Sequence, residues 1–581
     1  MDERTDPMSR MLTQNRNIMK SENRILLIVA FLSFFAGFIF RHDDIYKVTL
    51  KRFLVIAAVV VAYNAWLYVR KVDWERRRCV IMCSIMGFLT LMLMQIMSWF
   101  RLQENISDNM LVLSTVVLFL VLVSCCVFCV CVEHGVSENT VILLIFSGFL
   151  LRLFYVIMTQ GHLVQNDLGS FRDDSWGNLG YVYQILATGR LPVQNPITHY
   201  QLYHPPLHYA LAALCAGVYY VLFGVQMGQV DEVMQMLPLF YSTATLVFLN
   251  KIGLQFRCSS LGRCAMLGFA GFLPYSIFLG GALNNDSLVI LLMIMCVYFT
   301  IKWYNDPSLK NILVMAVLIG CAMMTKISGA MIAPAMAIVM LYRAWKDRKH
   351  WVKWVKQFAC FGAVSFPLGL WYYVLQWIRF RMPFWYAPAV PEELSQYIGM
   401  YSLGDRFRDY GHALESLALR WGPAPDVDYN IPVSLVKYSV FNELGYYTFT
   451  PSTKFIATIM FWATAVLFIL LIAAFVAWLF MRRNKTIYKV FFGSCITVIL
   501  FAYLKFCLEY PHVCAMNVRY VMTAVYLGML ILGAAVTGLQ ERLAGKGLVA
   551  GRIYAVSVSC LTVFYMLCST LLSFHLEWML Y

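Results

Sequence analysis

Charge is scarce in this chain: Asp, Glu, Lys and Arg make up 13% of the 581 residues, against 61% hydrophobic, and the mean hydropathy is +0.67. So little charge excludes a soluble globular protein, which could not cover that apolar fraction with polar surface. Acidic residues are scarcer than basic ones, 31 against 46, which leaves a formal net charge of +15. The excess does not point to nucleic acid, because the basic residues lie in short clusters between apolar runs rather than on one soluble face. No internal repeat is visible, and no cleavable signal peptide is expected. The first 24 residues are polar, and the first apolar segment, ILLIVAFLSFFAGFIF, is followed by no small-residue cleavage site, so it is expected to remain as a signal anchor. Cysteine is plentiful, at 17 residues, but its densest group, CCVFCVC at 125–131, lies inside an apolar run, where Cys behaves as a small hydrophobe rather than a metal ligand.

What fills the chain instead is apolar runs long enough to cross about 30 Å of hydrocarbon. They begin near residues 25, 53, 79, 111 and 140, and then near 236, 264, 286, 311, 328, 356, 455, 486, 517 and 552. The expected fold is therefore an all-α polytopic membrane protein of about fifteen transmembrane helices. Aromatics at 15%, with 15 Trp and 34 Tyr, suit interfacial belts. Two hydrophilic segments, 158–205 and 378–454, are too long to be turns, and such segments beside a bundle usually carry function.

One stretch, LHYALAALCAGVYYVLFG at 207–224, has the length of a sixteenth crossing, and charge decides against it. The loops 251–263, 302–310, 343–356, 481–489 and 539–552 hold 3, 2, 6, 4 and 3 basic residues, while the short turns between them hold almost none. Lys and Arg mark the cytoplasmic side. With residues 1–24 as a cytoplasmic tail, five crossings place 158–205 outside. All 18 loop cations then face the cytoplasm only if 207–224 does not cross. It is expected to be a juxtamembrane helix within a first outer loop of 158–235, started by Pro205 and Pro206. The loop 41–52, with four basic residues, runs against this topology, softened by Asp43 and Asp44.

Both long segments thus share the outer face with several chemistry-bearing residues. The first holds Asp167, Asp173 and Asp174, with His162, His199, His204 and His208. A carboxylate just past a membrane helix can act as general base toward a hydroxyl. On the same face lie the polar turn Asn284, Asn285 and Asp286, Lys326 in TKISG, Glu443 in FNELGYY, and Arg519 in NVRYVMTAV. A cation at membrane depth normally has an anionic partner, so Lys326 and Arg519 point to a phosphate-sized anion near the outer interface. Lys505 and Glu509, one helical turn apart, read as a structural pair.

QND after a membrane helix, then GNLGYVYQIL, LPVQNP, YHPPLHYALAAL, GALNNDSL, TKISG and an N-x-RY helix start, together resemble bacterial relatives of the dolichyl-phosphate-mannose protein mannosyltransferases, in the GT-C superfamily of membrane glycosyltransferases. The resemblance covers roughly 140–573, which would form a GT-C module with outer loops 158–235 and 378–454. The four helices of 25–135 fall outside it as an additional block. It implies a catalytic aspartate at Asp167, with Asp173 and Asp174 as alternatives. It also implies a donor site of Tyr203, His204, Asn285, Asp286, Lys326 and Arg519, with Glu443 on the acceptor side. The implied reaction is transfer of a sugar, a hexose such as mannose, from a polyprenyl-phosphate donor to an acceptor hydroxyl of a protein, lipid or glycan. It would proceed with inversion at the outer face of a bacterial plasma membrane. The expected partners are that donor, the acceptor and membrane lipids, and not nucleic acid. No cofactor or metal is expected, since a monophosphate leaving group does not oblige one. The alternatives are a transporter or flippase of lipid-linked sugar, which would favour midplane sites and repeated halves, and an oligosaccharide ligase or polymerase.

Overall fold

The computed structural model describes residues 24–36, parts of 58–90, and 138–579 with interruptions at 160, 162–164, 168–176, 200, 225–229, 389–395, 400, 421–426, 443–450, 482–484 and 546. Among the described residues helices are the only regular elements, apart from one isolated bridge between Tyr397 and His512. In chain order they are α1 (Glu138–Met158), α2 (Asn178–Thr188), α3 (Leu207–Phe223), α4 (Val230–Gln255), α5 (Ser260–Phe272), α6 (Pro274–Phe278), α7 (Asp286–Asn305) and α8 (Leu309–Thr325). They continue as α9 (Ala333–Lys346), α10 (Trp351–Phe380), α11 (Leu403–Arg408), α12 (Tyr410–Leu414), α13 (Ile431–Phe441), α14 (Pro451–Phe480), α15 (Thr486–Glu509), α16 (Met522–Ala544) and α17 (Leu548–Met579).

Each apolar run from residue 140 onward becomes a helix, and nine spans among the described residues are long and apolar enough to cross a membrane. The runs near 264 and 311 give the shorter α5–α6 and α8. Local chemistry sets these boundaries: Ser259 and Ser308 accept the backbone N–H of Gly262 and Asn311, three residues on, and so cap α5 and α8. The spans α1, α4, α7 and α16 are buried over most of their length and form the core, whereas α10, α14 and α15 leave most of theirs open. The open faces are apolar, with Trp462, Ile469 and Ile472 of α14 exposed, as lipid solvent allows. Close approach in the core needs small residues: a Cβ on Gly262 of α5 would collide with the Gly533 carbonyl of α16, and one on Gly533 with the Gly262 carbonyl. The chain is an integral membrane protein.

The segment between α1 and α4 leaves and returns at one end of the bundle. Just beyond α1, the Gly161 N–H donates to Glu232 Oε1 of α4 at 2.8 Å, and Gln235 of α4 donates to the Gly281 carbonyl at 3.2 Å. An excursion that starts and finishes at one level contains no crossing or an even number. The 11 residues of α2 span only about 16 Å, too short to pair with α3 in a double crossing. The helix α3 packs on α2 instead, and ends where Gly224 adopts the left-handed conformation (φ 63°) that glycine takes without strain. Near its far end Tyr219 donates to the Phe34 carbonyl of the helix Arg24–Ala36, at 2.5 Å, which ties the N-terminal block to the rest.

Candidate active site

The chain brings Asp167, Asp286, Lys326 and Arg519 together at the end of the bundle where α1 finishes and α7 and α16 begin. Asp167 has φ 57°, a left-handed conformation uncommon for a residue with a Cβ and best tolerated by Asp and Asn. Asn178 holds it there. Its backbone N–H and its Nδ2 both donate to the Asp167 carbonyl, at 3.0 and 3.1 Å, and its Oδ1 accepts from the Tyr209 hydroxyl at 2.8 Å. Tyr209 in turn stacks on Tyr181, centroids 4.1 Å apart. Two residues earlier, Gln165 clamps the turn before α7, donating to the Gly281 carbonyl and accepting from the Leu283 N–H, both at 2.9 Å. The backbone at Asp167 is thus held from two sides by neutral groups, which sets where its carboxylate projects.

Each cation faces a carboxylate. Arg519 Nη1 lies 3.3 Å from Asp167 Oδ2, and Lys326 Nζ lies 2.5 Å from Asp286 Oδ1. Tyr520 joins the two pairs: its hydroxyl accepts from Arg519 Nη2 at 2.9 Å, and both cations lie over its ring, at 4.9 Å for Arg519 and 5.4 Å for Lys326. The pairs differ in access. The Asp167 side chain is 28% exposed, while that of Asp286 is 4% exposed and sealed at the head of α7. Asn284 accepts the Asp286 N–H, and Asn285 donates to the Thr325 carbonyl beside Lys326. Asp286 is therefore positioned as a counter-ion, and Asp167 as a carboxylate that a second molecule can reach.

Tyr203 and His204 complete the wall, their rings 4.1 Å apart. Burial pushes the Tyr203 hydroxyl well above its usual pKa, with the Asp167 charge adding to the effect. Burial, followed by the nearby Lys326 and Arg519 charges, holds His204 well below the usual imidazole range, and burial lowers His208 to about 4. Both imidazoles are neutral at pH 7 and add nothing to the positive charge of the site. Among the described residues no three His, Cys, Asp or Glu side chains converge as a metal-binding group.

Other residues singled out by sequence fall elsewhere. His199 sits in its own turn, its Nδ1 3.1 Å from the Asn195 carbonyl, and Lys505 pairs with Glu509 at 3.4 Å, as their spacing predicts. Asp173, Asp174, His162, Glu443 and the cysteines of 125–131 lie outside the described residues. Sequence reasoning missed Asn178, Gln165 and Tyr520, although all three stand inside the quoted motifs. It also missed Arg152, a fully buried arginine in α1. Arg152 donates to Ser242 and Ser276 hydroxyls at 2.7 and 2.6 Å and to the Gly148 and Gly271 carbonyls at 2.8 and 2.9 Å. Ser276 is in turn 2.6 Å from the Tyr526 hydroxyl, so one side chain ties α1, α4, α5–α6 and α16 together beneath the Gly281 turn. An arginine within an apolar helix was the available signal, since such a residue must find polar partners inside the bundle.

Residues 203–372 match the family model described as dolichyl-phosphate-mannose-protein mannosyltransferase, which bears out over that stretch the resemblance carried by the motifs. Among solved structures the chain is similar to ArnT from Cupriavidus metallidurans bound to undecaprenyl phosphate. The identity is 14% and the TM-score 0.42, with 76% of each chain covered. For the apo state of the same protein the identity is 12% and the TM-score 0.39, with 74% of this chain and 77% of that chain covered. No curated protein sequence matches significantly.

Proposed function

We propose that the chain is a membrane glycosyltransferase that moves a sugar, a hexose such as mannose, from a polyprenyl-phosphate donor to an acceptor hydroxyl at the outer face of a plasma membrane. The observation that carries this reading is a partly exposed carboxylate, Asp167, paired with Arg519 beside a second carboxylate–cation pair, Asp286 with Lys326, all drawn from distant parts of the chain. The family match over 203–372 supports the substrate class, because its description names a dolichyl-phosphate sugar.

In this mechanism Asp167 orients and deprotonates the acceptor hydroxyl, whose oxygen attacks the anomeric carbon. The bond from that carbon to the phosphate oxygen breaks through an oxocarbenium-like state, with inversion. The leaving group departs as a lipid monophosphate. Arg519 and Lys326 would neutralise the charge it develops, a preorganised electrostatic role that needs no metal. Because Arg519 already faces Asp167, an arriving phosphate competes for the guanidinium and loosens its hold on the carboxylate. Tyr203, His204 and Asn285 would line the donor side with neutral groups, and Glu443 is assigned to the acceptor side. The N terminus would then be cytoplasmic, and α3 would lie along the outer interface. A transporter would place such charges near the midplane rather than at helix ends.

The test is Asp167→Asn in membranes supplied with labelled polyprenyl-phosphate hexose. Asn tolerates the left-handed conformation, so the fold should survive while transfer falls by about 10²–10⁴-fold. Undiminished transfer would remove Asp167 from the chemistry.

A further inference from the structure

The end of the bundle opposite the Asp167 site carries a second organised feature. From Lys326 the chain runs away from the site through α9, and it returns through α10 to Tyr372, whose hydroxyl donates to the Leu202 carbonyl at 2.5 Å. The α9–α10 connection, RAWKDRKHWVKWVK, is therefore a helix length away. The segments 302–310, 343–356 and 485–489, which meet at this end, hold ten Lys and Arg against two carboxylates. Both carboxylates are engaged: Asp306 accepts from Asn311 Nδ2 at 3.1 Å, and Asp347 lies 2.7 Å from His350 Nδ1.

The cations are interleaved with rings in a fixed arrangement. Trp354 is buried, anchored by its Nε1 donating to the Asp347 carbonyl at 2.9 Å, with Arg343 and Lys353 over its ring at 5.7 and 4.8 Å. Lys485 lies 5.6 Å from both Tyr304 and Tyr488, and Tyr304 stacks on Tyr342. Beside these ordered cations, Trp345 and Trp351 leave 67% and 64% of their surface exposed. Exposed indoles next to fixed cations match a boundary where acyl chain meets charged headgroup, and match a water-facing protein surface poorly.

We propose that this end is a shelf for anionic phospholipid headgroups, whose phosphates sit against the cations of the α9–α10 connection while Trp345 and Trp351 anchor at the acyl boundary. The inference is independent of the glycosyl-transfer reading, since it uses neither that site nor its substrate. The full-length chain in neutral detergent is given phosphatidylglycerol or phosphatidylcholine of the same acyl composition, and bound lipid is counted by native mass spectrometry. Phosphatidylglycerol should be retained preferentially and lost as salt rises. Lys349→Gln with Lys353→Gln, both at exposed positions, should weaken it about fivefold per lysine, roughly 25-fold together, while the paired Lys→Arg variant retains it. Equal retention of the two lipids, or undiminished phosphatidylglycerol in the Gln pair, would overturn the proposal. So would binding of soluble polyglutamate by a chain that ignores phosphatidylglycerol, which would make the shelf a protein-docking surface.

Discussion

The Asp286–Lys326 pair separates stability from function. Lys326→Met would leave the Asp286 carboxylate, 4% exposed, without its counter-charge. Removing one partner of a buried ion pair costs about 3–5 kcal/mol, whereas replacing both with neutral groups is often nearly neutral. The double variant Asp286→Asn with Lys326→Met should therefore recover most of the loss, to within about 1 kcal/mol of the parent, about 2–4 kcal/mol more stable than Lys326→Met alone. Denaturant unfolding in detergent, followed by a thiol-reactive fluorophore reporting exposure of buried cysteines such as Cys296 and Cys495, reads the stabilities. Transfer should not recover with stability, because the double variant still lacks the cation, and kcat should stay roughly 10²-fold down. A double variant as unstable as Lys326→Met would refute the electrostatic account of the pair. A stable double variant with undiminished transfer would remove Lys326 from the donor side.

Asn178→Ala removes the side-chain bond that helps hold Asp167 in its left-handed conformation, so kcat should fall about tenfold or more with KM little changed, and Asn178→Asp should not rescue it. Stability should fall on acidification because His208 is held at about 4 against an ordinary value near 6.5. Between those values the unfolded chain binds a proton that the folded chain refuses, so stability present above pH 6.5 is lost toward pH 4, at up to about 1.4 kcal/mol per pH unit. His208→Gln should flatten that limb of a stability–pH curve, and an unchanged slope would show that the imidazole is not the source. Arg152→Met deletes four buried hydrogen bonds within the membrane, each worth about 0.6 kcal/mol, and should lower unfolding stability by about 2–3 kcal/mol. Arg152→Lys should not restore it, because one ammonium cannot reproduce the planar fork.

Much of the bundle was legible because hydrocarbon thickness imposes a length on every crossing, and a run of apolar residues near 286 or 486 meets it by local composition alone. The two shorter helices, α5 and α8, were read as full runs because hydropathy does not register the stop after Phe272 or at Lys326. Within the site, charge in an apolar context exposed Lys326 and Arg519, but the sequence carries no sign of which carboxylate each would meet. Asn178 and Gln165 escaped notice because an amide in a hydrophilic segment looks alike whether it fixes the backbone of a neighbouring residue or faces water. Arg152 was passed over because its partners are two serines and two carbonyls, groups too common to stand out.

Composition and the spacing of apolar runs by themselves determined that this chain lives in a membrane and, from residue 140 onward, where its helices run. Those are consequences of solvation, which acts on each segment separately. Only the tertiary structure decided that Asp167 meets Arg519, that Asp286 meets Lys326, and that Asp167 is the more exposed of these two carboxylates. Those pairings join positions 40 and 352 residues apart. Such partners are selected by how helices pack, and no local pattern records that.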